Sequence, residues 1–143
     1  MCNEQAMIRS KSISVLALMA VVSSGGSTKV LAQAWNQPIP EPPTESTKQT
    51  LQLADQLSTV GAKFFGAHWC PACKEQMKLF GKQAGRRLNY VECGMPDQYP
   101  DQVRQCREAQ IQSIPTWTRP GSPRLEGVQS INGLERWSGL TQR

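Results

Sequence analysis

The sequence predicts an α/β fold, a mixed sheet of about four strands flanked by helices on both faces. Three observations carry it. Short apolar runs of strand length alternate with segments whose apolar residues recur at helical spacing. Two helical crossovers link the first three runs. A Pro/Gly-rich turn then joins the last two runs like a hairpin, and a helix closes the chain. A length of 143 residues suits one domain.

Residues 1–34 read as a targeting segment. Arg9 and Lys11 precede the apolar run Ile13–Val22, small polar residues follow, and Ala32-Gln33-Ala34 offers a cleavage motif before Trp35. The run is about ten residues, against the ~20 that a membrane-spanning helix needs. A signal peptide and a short N-terminal anchor are the two readings, and both imply an extracytoplasmic chain. Cys2 would leave with a cleaved signal. The formal charge of +5 falls to +3 without residues 1–34, which hold Arg9, Lys11 and Lys29 against Glu4. No aromatic residues interleave with a basic cluster, so a nucleic-acid partner is not expected. A monomer is.

Residues 35–46 carry four prolines and predict an extended linker ahead of a domain over 47–143. Ser46 and Gln49 form a capping-box pattern, Leu53, Leu57 and Val60 recur at helical spacing, and Gly61 ends that helix. Ala62–Ala67 predicts a buried strand. The next helix begins near Pro71, a residue suited to a first turn because its missing N–H is not needed there. Cys73, Met77, Phe80 and Ala84 give that helix one apolar face, and Lys74, Lys78, Lys82 and Arg86 give it a basic stripe. The stripe reads as a solvated face, with docking to an acidic partner as the alternative. Leu88–Cys93 predicts a second strand, Gly94–Asp101 a loop, and a short helix carrying Val103 and Cys106 follows. Ile111–Thr118 holds the third strand, and the turn Arg119–Pro123 leads to a fourth around Arg124–Val128. Ser130 caps a last helix bearing Ile131, Leu134 and Trp137.

Cys70-Pro71-Ala72-Cys73 lies where a strand feeds a helix. The nucleophile in disulfide exchange is the thiolate. The free N–H groups and partial positive charge of a helix N-terminus favour that anion. Cys70 is therefore the sulfur that attacks or is attacked, and Cys73, one turn inward, resolves the mixed disulfide. Taken alone, the motif also fits a structural disulfide or half of a zinc site. Trp69 before it and Ile114-Pro115-Thr116 about forty residues downstream favour exchange. His68 reads as an exposed side chain without an essential role, with contact to the thiolate as the alternative. Cys93 and Cys106 admit two readings. One is a structural staple worth about 3 kcal/mol; the other is a redox pair relaying electrons to or from Cys70 and Cys73.

With Phe65, Ala67, Trp69, Cys70, Cys73 and Ile114-Pro115-Thr116 in place, residues 47–140 resemble the thioredoxin superfamily. The resemblance implies a thioredoxin fold with Cys70 and Cys73 catalytic. It also implies a cis Ile114–Pro115 bond packed against them, and substrate held by Trp69, Ile114, Pro115 and Thr116. Two residues depart from the pattern. Phe64 stands six residues before Cys70, where the family usually has a buried acid that helps move the second cysteine's proton, and Lys63 lies alongside. Pro71-Ala72 replaces the Gly-Pro pair of reducing members.

The longer pattern, Phe65 to Gln76, Leu88 to Cys93, Cys106, and Ile114 to Trp117, is similar to one branch. That branch is the thioredoxin-like domain attached to vitamin K epoxide reductase homologues of cyanobacteria and plant plastids, which carries the extra cysteine pair. The resemblance implies a chain that forms disulfides in exported proteins, in the periplasm or thylakoid lumen, and passes electrons to a separate quinone-linked membrane oxidase or to another acceptor. It implies no cofactor or metal of the chain's own. An isomerase or reductase would use the same residues. Two further alternatives are a zinc module of Cys70, Cys73, Cys93 and Cys106 and a redox-inert peptide-binding domain using Trp69 and Ile114.

Overall fold

The computed structural model describes residue 35 and residues 37–140; the expected targeting segment, residues 1–34, lies outside them. In chain order the elements are α1 (Lys48–Thr59), β1 (Lys63–Gly66), α2 (Pro71–Phe80), α3 (Lys82–Gly85), β2 (Tyr90–Glu92), α4 (Pro100–Glu108), β3 (Thr116–Thr118), β4 (Leu125–Glu126) and α5 (Ile131–Ser138). The sheet order is β2-β1-β3-β4, with β2 parallel to β1 and the other two pairings antiparallel. This is the mixed four-stranded sheet of a thioredoxin-like α/β fold.

Successive side chains of a strand point to opposite faces, and β1 divides the core accordingly. Phe64 faces the larger cluster, with Leu53 and Leu57 of α1, Cys73, Met77 and Phe80 of α2, Trp117 of β3 and Leu134 of α5. Its ring stacks on Trp117 at 4.6 Å and meets Tyr90 edge-on at 5.4 Å. Phe65 faces the other way, packing with Val91 of β2 and Cys106 of α4. Among the described residues, no helix is long and apolar enough to cross a membrane.

The helix expected to run unbroken through Ala84 is split. Gly81 has φ +78°, and a Cβ there would lie 2.6 Å from the Glu45 backbone. The chain turns at the one residue that tolerates both the dihedral and the close approach, then restarts as α3. What approaches Gly81 is the proline-rich stretch. It carries no helix or strand among the described residues, and it is fastened to the domain at several points. Ile39 is fully buried, Gln37 Nε2 donates to the Gly85 carbonyl at 2.9 Å, and the Lys82 N–H donates to the Thr44 carbonyl at 2.9 Å.

Ser46 Oγ accepts from the Ala84 N–H at 2.8 Å, satisfying a donor in the first turn of α3. Ser46 is therefore not the cap of α1. Thr47 is, and it forms a capping box with Thr50 in place of the expected Ser46 and Gln49. The basic stripe is largely matched by acids. Lys78 pairs with Glu75, Lys82 with Glu45 and Arg86 with Glu41, at 3.2, 3.1 and 2.7 Å. Ser130 caps α5 as expected, accepting from the Gly133 N–H at 3.1 Å.

Candidate active site

Cys70 is the N-cap of α2, with Pro71 following in the first turn. Its Sγ accepts from the Cys73 N–H at 3.3 Å, the position in which a helix terminus offers a donor to a sulfur anion. Both cysteines are free thiols, and both are buried: Cys70 is 5% exposed and Cys73 is fully enclosed. Gly66 makes room for the inner sulfur. A Cβ at that position would lie 3.1 Å from Cys73 Sγ and 2.9 Å from Cε2 of Tyr90. Burial pushes the Cys73 thiol up to about 12, reinforced by its hydrogen bond with Cys70 and by the negative charges of Cys70 and Glu92.

The segment before β3 meets Cys70 from the other side. The Ile114–Pro115 bond is cis, and the Ile114 carbonyl lies 4.0 Å from Cys70 Sγ. Pro115 and Thr116 are buried, and Thr116 Oγ1 donates to the Ser113 carbonyl at 2.7 Å. Trp69, directly before Cys70 in the chain, is 58% exposed, and its indole N–H lies against Gly94, after β2. The structure thus brings Cys70, Cys73 and Ile114 together at the N-terminus of α2, with Trp69 preceding Cys70 in the chain and Pro115 and Thr116 leading from Ile114 into β3.

Cys93 and Cys106 are elsewhere. They form a disulfide with Cα atoms 5.8 Å apart, tying the end of β2 to α4 on the Phe65 face. The bond borders an open groove of about 240 Å³ that also reaches Ile111 and Ile114. Cys70 and Cys73 belong to the cluster on the opposite face, so the four cysteines do not converge on a Cys₄ site. Among the described residues, no group of three or more His, Cys, Asp or Glu is placed to hold a metal ion.

Sequence reasoning missed Glu92, which is fully buried. Its Oε2 accepts from the Tyr90 hydroxyl at 2.8 Å and the His68 N–H at 2.9 Å, and its Oε1 accepts from the Gly94 N–H at 2.7 Å. His68 Nδ1 is 3.5 Å from Oε1, and that side chain is 36% exposed. His68 is therefore turned toward the carboxylate, and its partner is Glu92. Burial and Glu92 together hold the Tyr90 phenol well above its usual range. The available signal was an acid inside the predicted strand Leu88–Cys93, next to Val91 and directly before a cysteine. Gln76 was missed too: fully enclosed, it accepts from the Gln129 N–H at 2.7 Å and fastens α2 to the segment after β4.

No protein-family model matches the chain. It is 42% identical over 77 residues to the thiol-disulfide oxidoreductase LTO1 of Arabidopsis thaliana, a match covering 52% of this chain and 20% of that relative. The match thus spans about a fifth of the relative's length.

Proposed function

We propose that the chain is a thiol–disulfide oxidoreductase that forms disulfides in exported polypeptides through Cys70 and Cys73, and that a quinone-linked membrane oxidase recharges it. The observation that carries the exchange chemistry is the placement of Cys70: an N-cap sulfur bonded to the Cys73 N–H, beside the Ile114 carbonyl. The relative's printed name supports an oxidoreductase activity. In the oxidising direction a substrate thiolate attacks Cys70 Sγ, forming a mixed disulfide while the Cys70–Cys73 bond breaks. Cys73 leaves as a thiolate and takes up a proton. A second substrate thiolate then attacks the substrate sulfur of the mixed disulfide and expels Cys70. The substrate gains one disulfide and the chain becomes a dithiol.

Trp69 and the Ile114–Thr116 backbone would hold the substrate segment next to Cys70. Cys93–Cys106 serves as a staple rather than a relay in this reading, because its neighbours are Phe65 and Val91 on the face away from Cys73. The test is oxidation of a reduced two-cysteine peptide by the disulfide form of the chain, followed by mass spectrometry. Wild type should oxidise the peptide, Cys70→Ser should not, and Cys73→Ala should accumulate a peptide adduct on Cys70. Equal activity in wild type and Cys70→Ser would overturn the reading.

A further inference from the structure

The exchange just described leaves one proton unaccounted for. Cys73 must give up a proton to attack a mixed disulfide on Cys70, or take one up when it is expelled, and it has no contact with solvent. We propose that Glu92 exchanges this proton with Cys73, so that the two groups share one proton inside the fold. This rests on the thiol–disulfide exchange reading and adds a residue to it.

Three features of the site support the assignment. First, burying a carboxylate is costly unless it is bonded or paired. Glu92 receives three hydrogen bonds from Tyr90, His68 and Gly94, yet among the described residues no lysine or arginine pairs with it. The carboxylate is thus held by hydrogen bonds and by His68, and a proton can reach it without breaking an ion pair to a lysine or arginine. Second, the Tyr90 ring that carries its hydroxyl to Glu92 converges with Cys73 Sγ over Gly66, and the Glu92 charge is felt at the Cys73 thiol. Third, the far side of the carboxylate leads outward. His68 Nδ1 lies 3.5 Å from Oε1 on a side chain that reaches the surface.

The groups facing Glu92 are Tyr90 on its own strand, His68 from the segment after β1, the Gly94 N–H, and the uncharged Gln102 of α4, whose Oε1 accepts from the Glu92 N–H; Cys73 of α2 meets the Tyr90 ring over Gly66. Cys70 supplies part of what holds the Cys73 proton in place, by its hydrogen bond and its charge. Both vanish once Cys70 is bonded to substrate. The Cys73 proton then passes to Glu92, Cys73 Sγ bonds to Cys70 Sγ, and the substrate leaves as a thiolate that takes a proton from solvent. The oxidising direction is the reverse, with Glu92 returning the proton to the expelled Cys73.

The reduced chain is mixed with excess dithiobis(nitrobenzoate), which separates the two steps. Cys70 attacks it and releases one coloured thiolate; Cys73 then attacks Cys70 and releases a second. In Glu92→Gln the first release should stay within about twofold of wild type. The second should slow by roughly tenfold to a hundredfold at neutral pH, the range of a lost proton-transfer group. It should recover as pH rises and hydroxide takes over, and Glu92→Asp should restore part of the rate at neutral pH.

A second release in Glu92→Gln with wild-type rate and wild-type pH profile would overturn the assignment of Glu92 while leaving the exchange reading intact. Absence of the first release in wild type would overturn the exchange reading itself. Should Glu92→Gln prove unfolded by circular dichroism, carbon-13 titration of the Glu92 carboxyl in the wild-type chain decides. A shared proton requires different titration midpoints in the dithiol and disulfide forms, and identical midpoints would refute the proposal.

Discussion

Raising the pH should destabilise the dithiol form of this chain through Cys73 in a calculable way. The thiol is held at about 12 in the fold against 9.0 for an ordinary cysteine, chiefly because burial penalises the anion. A group whose folded value is raised contributes stability that is fully present below its unfolded value and is lost as pH climbs toward the folded one. The window therefore opens near pH 9 and closes near 12. At about 1.4 kcal/mol per pH unit, the whole displacement corresponds to about 4 kcal/mol, and about 2 kcal/mol should be gone by about pH 10.5. The assay is urea unfolding at successive pH values with Cys70 and Cys73 reduced and Cys93–Cys106 closed, in wild type and in Cys73→Ala. Tyr90, held above its usual range chiefly by burial and Glu92 and only to a lesser degree by Cys73, adds a loss largely shared by both proteins, so the difference between the two curves reports mainly Cys73. Parallel curves across this window would mean that water or a rearranged helix reaches Cys73 in solution, and the burial argument would fail.

Two further substitutions probe the frame around the site. Gly81→Ala forces a methyl group to within 2.6 Å of the Glu45 backbone at φ +78°. It should cost about 3 kcal/mol in urea unfolding and hasten hydrogen exchange at the Lys82 and Ala84 amides; a cost under about 1 kcal/mol would show that residues 35–46 are not clamped there. Replacing Cys93 and Cys106 together by Ala opens a link between residues 13 apart in sequence. It should cost about 3 kcal/mol, while peptide oxidation by the folded variant continues.

The order of elements was legible because the apolar periodicities are unambiguous, and Ser130 at the head of α5 has no competing partner. The misreadings share one cause: residues 35–46 are not independent of the domain. Neither the break at Gly81 nor the loss of Ser46 as the α1 cap can be read locally, because each depends on a contact more than 30 residues away in sequence. The cysteine motif and Ile114–Thr116 were visible as patterns because their chemistry restricts residue type. Glu92 was not, since a glutamate in a strand is ordinarily a solvent-facing residue. Only the pairing register shows that it points inward.

That register also sets where the proposed proton carrier can sit, on β2 rather than at Phe64 of β1. Phe64 and Gly66 lie on the same face of β1, opposite Tyr90 and Glu92 of β2, with Phe64 paired to Tyr90 and Gly66 to Glu92. Phe64 is committed to the core by its stack on Trp117, and a carboxylate there would lose that packing. Gly66 has no side chain, and into the space above it come Cys73 Sγ and the Tyr90 ring. The charge is thus moved one strand over, to a place where backbone N–H groups of the adjoining loops can satisfy it. On this argument Gly66 matters as much as Glu92. Gly66→Ala places a methyl group 3.1 Å from Cys73 Sγ and 2.9 Å from Tyr90, so it should slow the second thiolate release while leaving the Cys70 step and the carboxylate in place. Equal effects on both releases would show instead that the sulfurs move as a unit, and that Gly66 only sets the position of α2.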